Sequence, residues 1–268
     1  MSDTGKPVKN IQSVHRALDI LELLIDNGYG LKLNEISAKC GLNKTTTFHL
    51  LKTLENRGYV EQSYDTQLYK MGWKLFEMSY ATTQSSDIHP IADPYLARIT
   101  ALTGETTTLY YFMRVEDYYM AVTLMQRETN QPLKFTAPKG SRIPLHCTAA
   151  GKVRLLGYSP EMLDEQLAQM PLDSYTATTV TDPEMIKQQL VDIRKNGYCI
   201  AREEYLPGIC SVAVPMFKYT GRVSYAVSVS VPSPRATDEH LNFIAKTMME
   251  VLGTPSNYPD FQFRGAPL

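Results

Sequence analysis

Val14, Ala17, Leu18, Leu21, Leu24 and Ile25 recur at the three- and four-residue intervals of one helix face. Asp26, Asn27 and Gly28 then supply a turn that ends the run. A short second helix is predicted over Leu33 to Cys40, with Leu33, Ile36 and Cys40 on one side and Gly41 as its stop. A third runs from about Lys44 to Asn56, ended by Arg57 and Gly58. Tyr59, Val60, Leu68 and Tyr69 suit short strands around the turn Tyr64-Asp65-Thr66-Gln67. Three helices therefore lead into a β-hairpin. The few residues around Gly41 match the connection length of a helix-turn-helix.

The next segment, MGWKLFEMSY, is apolar nearly all round: Met71, Leu75 and Met78 line one side, and Trp73, Phe76 and Tyr80 another. A helix of that kind is expected to be covered all round, either by a second copy of the chain or by its own two domains. ATTQSSDIHP is the best candidate for a domain boundary. This divides the chain into a helix-turn-helix module at 1–70, a linker helix at 71–86 and a second domain at 87–268.

Beyond the boundary the pattern alternates. A helix near Ile91–Leu102 precedes strands at Thr106–Phe112 and Tyr118–Gln126. A strand at Arg142–Cys147 is expected to feed a helix at Thr148–Leu156. Ser159-Pro160 and Asp182-Pro183 each put a capping residue before a proline at the first helical position, and the second of these helices stops at Asn196-Gly197. Strands recur at Tyr198–Ala201, Ser211–Pro215 and Tyr225–Val231, before a last helix ending at Leu252. Short links between strands favour a mostly antiparallel sheet flanked by helices, so the fold class is α+β.

Composition changes little in this picture: 43% hydrophobic and 21% charged residues are ordinary for a globular chain. No apolar run approaches the roughly 18 residues needed to span a bilayer, and MSDTGKPVKN, expected to fray, has no apolar core of a secretory signal. Cys40, Cys147, Cys199 and Cys210 show no paired spacing, which fits reduced thiols and a cytoplasmic location. Net charge is −1, with +1 over residues 1–80 and −2 over the remainder, so any nucleic-acid contact must rest on local placement of charge.

The third helix carries such a placement. At about 100° per residue, Thr45, His49, Lys52 and Asn56 fall within about 60° of one another, with Lys44 and Thr46 at the N-terminal end. Thr47, Phe48, Leu50, Leu51 and Leu54 fill the other side, and Glu55 lies off the stripe. A stripe of donors and neutral hydrogen-bonding groups without a carboxylate suits a major groove flanked by phosphates. A solvated face is the plain alternative. The preceding helix, the tight turn and the following hairpin form a winged helix-turn-helix, with Tyr64, Gln67 and Lys70 as candidate contacts from the wing.

Two segments suggest a small-molecule site. PLHCTAAGK places the small residues Ala149, Ala150 and Gly151 in the first turn after Thr148, where a ligand could reach unpaired N–H groups, or where small size only allows close packing. In Ala226–Val231, Val227, Val229 and Val231 face one way, and Ala226, Ser228 and Ser230 the other. No enzyme emerges. His146 and Cys147 on a strand would point to opposite faces, and Glu203-Glu204 reads as a solvated charge run. A metal site from His146 with Cys199 or Cys210 would need tertiary proximity, and no metal or cofactor is expected.

SVHRALDILELL, LNEISAKCGLNKTTTFHLLKTLENRGYV and LYKMGWKLFEM resemble the DNA-binding domain of the IclR-type transcriptional regulators. The resemblance continues through RIPLHCTAAGKVRLL, EEYLPGICSVAVPMF and SYAVSVSVPSPR, and covers nearly the whole chain. It implies a winged helix-turn-helix, a linker helix and a GAF-like effector-binding domain in a dimer or tetramer that binds a double-stranded, palindromic operator. It also implies a small carboxylate effector: a keto acid, sugar acid or aromatic acid. By motif matching, Ala149, Ala150, Ser211, Ser228 and Ser230 carry over as effector residues, with His146, Thr148, Gly151 and Ala201 beside them. Two positions depart: His49 stands where relatives often have Arg, and Ala201 where they often have an acid, which leaves Arg202, Glu203 or Glu204 as substitutes. A ligand-binding signalling protein whose helix-turn-helix makes protein contacts is the alternative.

Overall fold

α1 (Gln12–Asp26) buries Ile20 and Leu24 in the core of the N-terminal unit. Its opposite side is not polar. Ile11, Val14, Leu18 and Ile25 fall within about 60° of one another at the helical pitch, and all four are exposed. α2 (Leu33–Lys39) begins where the Lys32 N–H donates to Glu35 Oε2 at 2.7 Å. It is turned by Gly41, whose φ of +62° a side chain would resist. α3 (Lys44–Asn56) is capped by Asn43, whose side-chain oxygen accepts the Thr46 N–H at 2.8 Å. Buried Ser37 Oγ donates to Thr47 Oγ1 at 3.0 Å and ties α2 to α3. β1 (Val60–Gln62) and β2 (Tyr69–Met71) form the antiparallel wing, and Leu31 bridges to Tyr69 beside it.

The computed structural model describes residues 11–84, 88–115, 117–218, 223–253 and 261–262. The polar start at 1–10, residues 85–87 of the expected boundary and most of the C-terminal tail lie outside the described residues. The chain divides into compact units at Met1–Ser86 and Asp87–Leu268, so α4 (Lys74–Gln84) belongs with the first. Within that unit α4 is not covered all round: Trp73, just before it, is 72% exposed, and Phe76 and Met78 are also exposed.

The second unit is built on an antiparallel sheet. α5 (Ile88–Thr103) starts earlier than expected and leads to β3 (Thr106–Val115), β4 (Tyr118–Arg127) and β5 (Arg142–Ile143). Then come α6 (Ala149–Leu155), α7 (Pro160–Gln169) and α8 (Pro183–Asn196), which ends at Gly197 in the left-handed region. β6 (Cys199–Arg202), β7 (Ile209–Lys218), β8 (Val223–Pro232) and α9 (Asp238–Leu252) complete the core, and β9 (Phe261–Gln262) pairs with β7. The strand order is β5-β4-β3-β8-β7-β6, with every neighbouring pair antiparallel. This is the α+β architecture expected.

The period-two pattern of β8 has the expected consequence. Val227, Val229 and Val231 join Val212 and Val214 of β7 in a core with Leu96 and Ile99 of α5 and Ile244 and Met248 of α9. Ala226 and Ala213 point the other way, into a core with Val153 of α6 and Ile186 and Leu190 of α8. One expectation fails: the strand over Arg142–Cys147 stops after two residues. Pro144 has no N–H to donate to a ladder, so pairing ends there and His146 and Cys147 sit in a turn. Among the described residues no helix is long and apolar enough to cross a membrane.

Candidate DNA-reading face and effector cavity

α3 turns Lys44, Thr45, His49 and Asn56 to solvent and leaves Thr46 and Lys52 half-buried, while Thr47, Leu51 and Leu54 hold it to the core. Two details differ from the sequence reading. Phe48 is 41% exposed instead of packing with the leucines; its ring meets His49 edge-on at 5.8 Å between centroids. At 40° beyond Lys44 on the helical wheel it flanks the stripe, where core contact is partial. An acid from outside the stripe also reaches into it. Lys52 Nζ donates to Glu55 Oε2 at 2.6 Å, a three-residue pairing within reach of adjacent turns. That bond holds the Lys52 ammonium above its ordinary pKa.

The wing residues differ in availability. Tyr64, at the tip, is 91% exposed. Gln67 takes a left-handed φ of +57°, and its Nε2 donates to the Tyr64 carbonyl at 2.7 Å while its Oε1 accepts from Gln62 at 3.1 Å. Its amide thus closes the turn. Lys70 Nζ lies 3.0 Å from Glu61 Oε1 across the hairpin.

In the second unit, the sheet and α6 enclose a cavity with about 460 Å³ of atom-free space, including its mouth. Its wall brings together Thr148, Ala149, Ala150, Ala201, Ser211, Ser228 and Ser230, residues from α6, β6, β7 and β8. Strand register explains the serines. Ala201 pairs with Ser211, Ser211 with Ser230 and Ser230 with Thr106, so one row of side chains crosses the sheet on one face; Ser228 lies in the next row, opposite Ala213 and Thr108. Tyr110, whose hydroxyl is pushed up to about 12 by burial, adds a neutral group to the wall. Phe135, Ile143, Tyr205, Leu206 and Ile209 make the rest of it mainly apolar.

Two of the expected site residues stand off this wall. A Cβ on Gly151 would lie 2.3 Å from the Leu145 carbonyl oxygen, so its small size serves close packing, whereas Ala149 and Ala150 border the cavity. Thr148 Oγ1 donates to the Pro144 carbonyl at 2.6 Å and accepts the Gly151 N–H at 3.1 Å, which leaves the Ala149 and Ala150 N–H groups without an intrahelical carbonyl. His146 is fully buried behind the wall. Facing a carbonyl, its Nε2 carries the proton and donates to Asp173 at 3.0 Å, and Nδ1 has no partner among the described residues. Desolvation pulls its pKa below the ordinary histidine value.

Glu203 and Glu204 are not a solvated charge run. Glu203 adopts a φ of +54°, and its carboxylate accepts from the Gly208 N–H at 2.8 Å and the Ser233 hydroxyl at 2.7 Å. Glu204 lines the cavity, and Lys152 Nζ donates to both of its oxygens at 2.6 Å. Lys152 on α6 is the residue missed in the sequence. A lysine among Ala150, Val153 and Leu155 was the available signal, since a charge on a buried face requires a partner. Arg202 instead pairs with Asp238 at 2.5 Å.

Burial raises Cys147 and Cys199 to about 12, so neither is a thiolate near neutral pH. Cys199 faces the α6 core and Cys210 the α5–α9 core, which separates them across the sheet.

Two family profiles match the chain: the IclR helix-turn-helix domain over residues 13–63, and the bacterial transcriptional regulator IclR C-terminal region over residues 80–254. The HTH-type transcriptional regulator BhcR of Paracoccus denitrificans is 33% identical over 240 residues, covering 90% of this chain and 84% of its own. Among solved structures, an IclR transcriptional regulator from Alicyclobacillus acidocaldarius aligns with a TM-score of 0.79 at 26% identity, over 91% of this chain and 96% of its own. An IclR homologue from Microbacterium hydrocarbonoxydans, solved in complex with 4-hydroxybenzoate, shares the fold with a TM-score of 0.75 at 21% identity, over 90% and 97% of the two chains.

Proposed function

This chain belongs to the IclR family of bacterial transcriptional regulators, and from that premise we propose that a small carboxylate metabolite, bound in the cavity of its second unit, modulates its binding to an operator. The observation that carries the reading is the row of Ser211, Ser230 and neighbouring Ser228 facing Ala149 and Ala150 across an enclosed space. Hydroxyl and N–H donors converging in a mainly apolar cavity suit a small anion with a compact body. Reading of DNA rests on α3, with Lys44, Thr45, Thr46, His49, Lys52 and Asn56 toward the major groove and Tyr64, Gln67 and Lys70 on the wing.

The active species in this reading is a homo-oligomer. The exposed apolar stripe of α1 and the exposed Trp73 and Phe76 leave hydrophobic side chains that suit a second copy. A dimer places two α3 helices in successive major grooves about 34–36 Å apart on a palindromic site.

The test is a mobility shift of the purified protein on DNA from immediately upstream of its own gene, at physiological salt with scrambled competitor, repeated with a panel of sugar, keto and aromatic acids. The expected result is a competitor-resistant complex whose stability one class of acid changes. Ser228→Leu should abolish the response and leave DNA binding intact. An undiminished response in that variant would place the effector elsewhere.

A further inference from the structure

Among the described residues, Glu204 is the single ion-paired side chain on the cavity wall, and its geometry has a direction. Its side chain is 8% exposed and borders the cavity, while Lys152 is 1% exposed and lies outside the wall. The cavity therefore meets the negative end of a buried ion pair, with the ammonium behind it. Each Glu204 oxygen accepts one bond from Lys152 and keeps lone pairs for another donor.

This carboxylate cannot swing aside easily. The Glu204 carbonyl accepts from Thr179 Oγ1 at 2.6 Å, and the Glu203 carbonyl from Thr176 Oγ1 at 2.7 Å. A fixed acceptor in a low-dielectric wall discriminates strongly, because an unmatched or like-charged group beside it has no water to compensate.

We propose that Glu204, positioned by Lys152, restricts the effector to a monocarboxylate that carries a neutral hydroxyl donor away from its carboxylate. This rests on the cavity being the effector site. The ligand carboxylate occupies the serine side and its hydroxyl donates to Glu204. A plain alkyl or aryl acid leaves the Glu204 lone pairs unmatched, and a dicarboxylate sets a second anion against them. Ala201 brings no charge to this wall, so among the described residues Glu204 is its acidic carboxylate.

The experiment is calorimetric titration of the full-length protein with two size-matched series: 3-hydroxypropionate, butyrate and malonate; and 4-hydroxybenzoate, 4-methylbenzoate and terephthalate. In at least one series the hydroxy acid should bind roughly ten- to a hundredfold tighter than its methyl analogue, the range of a hydrogen bond to a charged group. The dicarboxylate should bind more weakly still. Removing the Glu204 carboxylate alone strands a buried ammonium, and glutamine would keep an acceptor oxygen, so the double change Lys152→Met with Glu204→Leu is the comparison, and it should lose both discriminations.

Equal binding of hydroxy and methyl acids by the wild type in every series that binds, or unchanged discrimination in the double variant, overturns the role of Glu204 and leaves the effector reading standing. Binding by no carboxylate of either series overturns this inference, and binding unaffected by Ser228→Leu places the ligand outside the cavity and overturns the effector reading with it.

Discussion

Lys44 and Lys52 look equivalent in the α3 sequence, yet their surroundings differ. Glu55 holds the Lys52 ammonium, whereas none of the ion pairs found among the described residues involves Lys44. A phosphate contact by Lys44 releases counterions without first breaking a protein bond. Lys44→Ala should therefore lower the salt slope of operator binding by about one, and Lys52→Ala by less, as measured by fluorescence anisotropy over a salt series. His49→Ala should instead change base preference and leave the slope intact. A residue behind the cavity has a different signature. His146 is buried and held neutral, with its pKa below the unfolded value of about 6.5. Below that pH the unfolded chain binds a proton that the folded histidine resists, so stability should fall as pH drops from about 7 toward the folded pKa. Urea midpoints across pH 7.5 to 5.5 should show that decline, and His146→Gln should flatten it.

At the scale of elements, α1 has one apolar face for its own core and another for something else. Ile20 and Leu24 are buried, while Val14, Leu18 and Ile25 are exposed. A lysine at an exposed site disturbs no core packing. Leu18→Lys with Ile25→Lys should thus leave unfolding stability within about 0.5 kcal/mol, the usual range for surface changes. The same variant should shift sedimentation toward the monomer and weaken binding to a palindromic site. An unchanged oligomer would mean that α1 is not where the copies meet. β7 and β8 also serve two faces, since their valines bind α5 and α9 while Ser211, Ser228 and Ser230 border the cavity. The site is thereby built on paired strands, which hold its donors more rigidly than loops would.

For the whole molecule, the proposed DNA-reading face and the candidate effector cavity fall in separate compact units. Coupling between them is a free-energy statement: an effector that loosens operator binding must itself bind less tightly when operator is present, by the same factor. Couplings of this kind run to roughly 5–150-fold. Titrating effector with and without operator should yield two affinities in that range of ratio. Identical affinities would rule out effector control, however tightly the cavity binds its ligand.

The sequence by itself determined the helix-turn-helix and wing, the alternation of β8, the capped starts of α7 and α8 and the family, because each is written in near-neighbour chemistry. Periodicity, Gly41, Ser159-Pro160 and Asp182-Pro183 act within a few residues. Only the tertiary structure decided the rest. Lys152 meets Glu204 across 52 positions of chain, and Ser211 comes beside Ser230 through strand register. These are pairings of residues distant in sequence. Whether a charge is solvated or buried, and whether a small residue borders a cavity or a backbone, depends on what the rest of the chain brings to it.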